Sequence, residues 1–207
     1  MKETKNTKSR NESKKRLPDK QLKQNRYLIH SPFFAKSDKD LQDAWAEMEK
    51  LKKTGKARSI GVSNFIQPHL EAILRTAEIT PAVNQIEYHP YLQHGDLVPF
   101  HKKIGIVTEA YSALAPITKA QGGPIDEAVR RLAGKYEVSE GVILLRWAME
   151  QGVVTISTSR NESRMAEYLQ AANIRLTQEE VQEISRLGSH KHFRAFWRTR
   201  FSEDDRS

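Results

Sequence analysis

Five short segments carry side chains whose types and positions suit chemistry. "YLIHSP" delivers His30 to a Ser-Pro turn after a short apolar run. "GVSNF" does the same for Ser63 and Asn64, "NQIEYHP" carries Gln85, "EAYSAL" carries Tyr111 and Ser112, and "TSRNESR" carries Ser159 and Arg164. An imidazole can orient a polar oxygen, and two carboxamide side chains offer both donors and acceptors that can read another carboxamide. A tyrosine presents a flat face for stacking on an aromatic ring. A serine and an arginine at the start of a helix suit phosphate, because backbone N–H groups point outward there and a guanidinium pairs bidentately with phosphate oxygens. Taken together, these groups describe a nicotinamide at one end and a phosphorylated ribose at the other.

The groups are far apart in the chain, so the elements between them must bring them together. Strands are expected at 27–30, 58–62, 82–86, 106–109 and 153–156, from short apolar runs bounded by turn residues. Helices are expected over 68–77, 97–103, 125–135, 139–151 and 162–171, together with two marked by capping boxes. Ser37 with Asp40 opens one of these, continued by Leu41, Ala44, Trp45, Met48 and Leu51 and ended at Gly55; Thr177 with Glu180 opens the other, to residue 187. Alternating strands and helices predict a parallel sheet, in which all strand C-termini open on one side and the polar groups converge on one mouth. Five βα units fit either an open doubly wound sheet or part of a (β/α)₈ barrel, which needs eight units and roughly 250 residues.

Charge is distributed unevenly over the 207 residues, whose net charge is +8. Residues 1–26 hold 10 basic and 3 acidic side chains, with only Met1, Leu17 and Leu22 as large apolar ones, so this leader is expected to be disordered. Residues 27–187 hold 19 basic and 20 acidic residues and form the expected folded domain, with 188–207 as a tail. Nucleic acid is not an expected partner, since only the leader, with "SKKR" at 13–16, carries clustered charge, and no aromatic residue interleaves it. The absence of cysteine excludes disulfides, thiolate metal sites and a cysteine nucleophile. No metal-ligand spacing involves His89, His94 or His101, and His89 with Tyr88 is read as a structural loop. No apolar run is long enough to span a membrane and the N-terminus lacks a secretory core, so a cytoplasmic protein is expected, with nuclear import through the leader as the variant. Trp45 and Trp147 fall on apolar helix faces and read as core, whereas Phe193, Phe196 and Trp197 in the tail either line the mouth or plug it.

The ordered set "YLIHSP", "GKARSIGVSNF", "AVNQIEYHPYLQ", "VTEAYSAL", "LLRWAMEQGVV" and "TSRNESRMAEYL" resembles the aldo-keto reductases over residues 27–187. The resemblance implies an α/β chain, a partial (β/α)₈ TIM barrel holding strands four to eight. It implies reduction of aldehydes or ketones with NADPH in preference to NADH, and a small-molecule carbonyl substrate. The "TSRNESR" form is similar to a fungal or microbial branch acting on keto-type carbonyls. By the same resemblance His30 binds the carbonyl oxygen, Ser63, Asn64 and Gln85 hold the nicotinamide carboxamide, and Tyr111 stacks on its ring. Ser112 and Leu114 line the pyrophosphate, Ser159 and Arg164 take the 2′-phosphate, and Glu167 lies near the adenine. Thr158 stands where many members carry lysine, and Tyr168 where many carry asparagine. The family's proton-donating tyrosine, with its lysine and aspartate, belongs to strands one to three, so a truncated chain with impaired catalysis is expected. A non-catalytic nucleotide- or partner-binding remnant is the alternative, and a leader foreign to a longer natural product is a third reading.

Overall fold

The computed structural model describes residues 24–203 and 205–207, so the expectation of disorder for residues 1–23 lies outside the described residues. Five strands, β1 (Gln24–Ile29), β2 (Ala57–Ser63), β3 (Val83–Glu87), β4 (Val107–Tyr111) and β5 (Val154–Thr155), form one sheet. All neighbouring pairs are parallel, and their order across the sheet is their order in the chain. A doubly wound sheet reverses its strand order at a switch point; this one never does, so its crossovers all turn the same way, as in a barrel wall. That decides between the two architectures that the alternation of elements left open.

Eight α-helices accompany the strands among the described residues: α1 (Asp38–Lys53), α2 (Gln67–Leu74), α3 (Leu97–Lys103), α4 (Ala115–Thr118), α5 (Asp126–Tyr136), α6 (Glu140–Glu150), α7 (Glu162–Tyr168) and α8 (Gln178–Ser189). Both capping boxes form, Ser37 with Asp40 on α1 and Thr177 with Glu180 on α8. The helix stripes bury Leu41, Trp45 and Met48 of α1 and Leu144 and Trp147 of α6 against Ile60, Val62 and Ile86 of the sheet. Fully burying such side chains stabilises the fold by about 1.5 to 3 kcal/mol each. Trp45 and Trp147 are core, and their indole N–H groups donate to Ile79 O and Ser185 Oγ.

The other sheet face is set by register. Paired residues of parallel strands point to the same side, so Leu28, Gly61, Val83 and Val107 form one row. Only glycine fits at position 61, because a Cβ there would lie 2.7 Å from Val83 O and 2.8 Å from the Leu28 and Val83 side chains. The next row toward the strand C-termini is Ser63, Gln85, Glu109 and Val154.

Three expectations are corrected, and one helix was not anticipated. The first strand starts at Gln24, inside the segment read as leader, because Gln24 and Arg26 pair in register with Ala57 and Ser59 and backbone pairing does not require apolar side chains. The last strand keeps only Val154–Thr155, since it pairs on one side alone, with Glu109 and Ala110. The helix expected over 162–171 ends at Tyr168 and continues as a 3₁₀ turn, Leu169–Ala172. α4 is a single turn started by Pro116, too short to leave a periodic signal.

Candidate active site

The mouth is built from the C-terminal ends of β1 to β4. Asn64 follows β2 in a left-handed conformation, φ 61°, which asparagine tolerates better than most residues. This turns its side chain back across the strand ends, where Nδ2 donates to His30 O at 2.9 Å and to Ser63 Oγ at 2.9 Å, and Oδ1 accepts from the Tyr111 hydroxyl at 2.7 Å. Ser63 Oγ donates to Gln85 O at 2.7 Å, and the Asn64 backbone N–H donates to the same carbonyl at 2.9 Å. Gln85 Nε2 donates to Glu109 Oε2 at 3.1 Å. His30, Ser63, Asn64, Gln85 and Tyr111 are therefore gathered into one hydrogen-bonded group spanning four strands. His30 itself is exposed, while burial and the nearby Glu87 charge push the Tyr111 phenol up from its ordinary value.

Ser112 also has a left-handed backbone, φ 57°, and its carbonyl accepts from Ala115 N–H to start α4, which places Leu114 at the helix entry. The second group lies at the other end. Ser159 Oγ accepts from Asn161 N–H at 3.0 Å, Asn161 caps α7, and Arg164 and Glu167 lie on α7. Arg164 is exposed and pairs with no carboxylate among the described residues, whereas Glu167 is half-buried. The two groups share no hydrogen bond. They meet through packing: a Cβ on Gly141 would lie 3.1 Å from the Tyr168 ring and 3.7 Å from Leu114, so both close on the same glycine. Tyr168, which departs from the family's usual asparagine, thus fills space beside Leu114.

The tail crosses the mouth. Trp197 packs on His30 with ring centroids 5.7 Å apart and on Phe33 at 4.9 Å, and Phe196 meets Tyr111 at right angles at 5.5 Å. Beneath it, Asn64, Glu87, Arg194 and Phe201 leave a gap of about 10 Å³, room for about one water.

Three functional-looking groups were not singled out from the sequence. Glu87, 2% exposed, accepts from His89 Nε2 at 3.1 Å and from the backbone N–H groups of Ala195 and Phe196 at 2.8 and 3.0 Å. Burial pushes its carboxyl up, but these hydrogen bonds outweigh burial and hold it below the ordinary range. Glu109, equally buried, pairs with Arg26, which reaches across β2 and β3 from a strand that composition alone reads as leader. The available signal was alternation: Gln85 and Glu87, like Glu109 and Tyr111, are spaced by two in their strands and so share a face.

The donor set suits a dinucleotide with an extra phosphate. Amide and hydroxyl groups converge beside a half-buried aromatic ring at one end, and an unpaired guanidinium faces solvent at the other. The model described as the aldo/keto reductase family matches residues 1–189, a span that takes in the basic leader. An NADPH-dependent alpha-keto amide reductase of Saccharomyces cerevisiae is 41% identical over 180 residues, covering 83% of this chain and 58% of that protein. An NAD/NADP-dependent indole-3-acetaldehyde reductase of Schizosaccharomyces pombe is 40% identical, covering 82% and 61%. A glyoxal reductase of Bacillus subtilis is 43% identical, covering 78% and 55%. The structure of a Bombyx mori aldo-keto reductase in complex with NADP superposes with a TM-score of 0.72 at 33% identity, covering 79% of this chain and 57% of that one. The chain thus spans somewhat more than half the length of these relatives.

Proposed function

Because the chain belongs to the aldo/keto reductase family, we propose that it carries the cofactor-binding and carbonyl-orienting part of an NADPH-dependent reductase of aldehydes or ketones. The hydrogen-bonded group of His30, Ser63, Asn64, Gln85 and Tyr111 is the observation that carries this reading. Ser63, Asn64 and Gln85 hold the carboxamide and Tyr111 backs the nicotinamide ring. Ser112 and Leu114 line the pyrophosphate, Ser159 and Arg164 hold the 2′-phosphate, and Glu167 lies by the adenine. When bound, NADPH supplies the hydride. His30, exposed at the mouth, orients the carbonyl oxygen that becomes the alkoxide.

Reduction also needs a proton on that oxygen, and a positioned general acid contributes typically about 10²- to 10⁴-fold. We read this chain as strands four to eight of the family's barrel, which carry His30 but not the acid, so its turnover alone is very slow. A nucleotide- or partner-binding role without catalysis is the second reading, and Phe196, which already engages the Tyr111 ring, favours its partner-binding form.

Titrating the purified chain against NADPH fluorescence, then assaying it with aldehydes and keto esters, separates these readings. Weak quenching with very slow turnover is expected of the isolated chain. Quenching with no turnover leaves the nucleotide-binding role, and neither quenching nor turnover leaves only the partner-binding one.

A further inference from the structure

Where the tail crosses the mouth, one side chain holds its backbone. Glu87 ends β3, and its two carboxylate oxygens take the backbone N–H groups of Ala195 and Phe196, one each. Those bonds are charge-assisted and nearly dry, the stronger kind of protein hydrogen bond. They hold the peptide groups 194–195 and 195–196, directly upstream of the two rings that reach the mouth, Phe196 beside Tyr111 and Trp197 beside His30. The other side-chain attachments grip different places: Arg194 packs over Phe201 at 3.9 Å, Lys119 lies over the Phe196 ring at 4.2 Å, and Phe33 backs Trp197. None of these fixes the backbone at 195 and 196. Trp197 itself sits at φ 61°, an arrangement that a bulky residue adopts only when its neighbours are held.

We propose that Glu87 is a positioning residue for substrate recognition: it pins the tail so that Trp197, Phe196 and Phe33 form an apolar wall beside His30, which favours a carbonyl with a flat or apolar substituent over a polyhydroxylated one. The recognition part rests on the reductase reading; the pinning part does not. An aromatic wall gains from apolar area removed from water and leaves hydroxyl groups without partners, so the discrimination follows from the wall's chemistry.

Glu87→Gln keeps the shape of the side chain but replaces one acceptor by an amide that faces an N–H donor. In the full chain, hydrogen exchange at Ala195 and Phe196 is expected to quicken roughly tenfold or more, with the β2 and β3 amides unchanged. The emission component removed by Trp197→Phe, which identifies this indole against Trp45 and Trp147, is expected to move to the red in Glu87→Gln as Trp197 leaves Phe33 and His30 for water. Unchanged exchange at 195 and 196, or an unmoved Trp197 component, overturns the pinning. Should Glu87→Gln fail to fold, Ala195→Pro deletes one donor from the tail side and leaves the sheet intact; a Trp197 component that stays unmoved in that variant also overturns it.

The wall is tested by saturable quenching of the Trp197 component. Benzaldehyde is expected to act at roughly tenfold lower concentration than D-glyceraldehyde on the wild-type chain, a preference lost in Glu87→Gln. Equal action of the two aldehydes overturns the wall. Neither readout uses NADPH, so a chain that fails to bind cofactor while keeping a pinned tail refutes the reductase reading and not the anchor.

Discussion

The two ends of the candidate site are made in different ways. At the nicotinamide end, Ser63, Asn64, Gln85 and Tyr111 belong to or adjoin strands paired on both sides, and their polar atoms already bond one another at 2.7 to 3.1 Å. At the proposed phosphate end, Ser159, Arg164 and Glu167 follow a two-residue edge strand, the last two on a seven-residue helix with no buried residue. Position is thus bought by folding at the first end, where the proposed role asks groups to meet a ring at fixed distance and angle. Charge suffices at the second, where a long guanidinium can find an anion without being held in advance. The difference also separates stability from binding: substitutions at the first end should unfold the chain before they teach anything about a ligand, and those at the second should do the reverse.

The largest test of that contrast is pH. His94 and His101 lie under the nicotinamide end, buried and neutral, and burial pushes each down to about 4 from 6.5. The unfolded chain therefore binds protons that the folded chain refuses, and stability should fall as pH drops from 6.5 toward 4, by on the order of 3 kcal/mol per histidine. Urea midpoints measured across this window should show the loss. His101→Gln, which can still reach Asn84 and Thr108, should remove about half of it. A flat profile would mean that this end is less tightly packed than its geometry requires.

Asn64→Ala comes next. It strips partners from His30 O, Ser63 and the Tyr111 hydroxyl at once and leaves alanine in a left-handed conformation, at a cost of about 2 to 4 kcal/mol. Asn64→Gly should recover the backbone part of that loss, roughly 1 kcal/mol, and none of the rest. Equal denaturation midpoints for the two variants would show that the side-chain bonds dominate entirely.

Gly141→Ala probes the junction. Its methyl must push Tyr168 back by a few tenths of an ångström, and thermal denaturation should register a loss of about 1 kcal/mol, felt at both ends because Leu114 shares the contact. Arg164→Ala should change stability by less than about 0.5 kcal/mol. If the chain binds NADPH, the same variant should weaken it severalfold, flatten its salt dependence and leave NADH unaffected. A destabilised Arg164→Ala would erase the contrast between the two ends.

The sequence made most of the residues gathered at the mouth visible because strands announce themselves by apolar runs and these polar groups follow directly after them. It hid Glu87 and Glu109, whose roles come from partners 108 and 83 residues away, Ala195 and Arg26. It also hid Arg26 itself, since a strand held by backbone pairing to β2 needs no apolar signature of its own. The Trp197 and Phe196 contacts could be anticipated only as a choice between lining and plugging, because tail residues carry no periodicity that fixes where they land.

By itself the sequence determined the parallel α/β class, the two capping boxes, the buried tryptophans and the ordered motifs of the family, all of which are local: spacing within a few residues decides them. The tertiary structure alone decided that the sheet is wound in one direction, that Asn64 rather than any single strand ties the mouth together, and that a buried carboxylate on β3 holds the tail across it. Those are properties of residues that meet only after chain closure, and no local pattern has to change for them to meet differently.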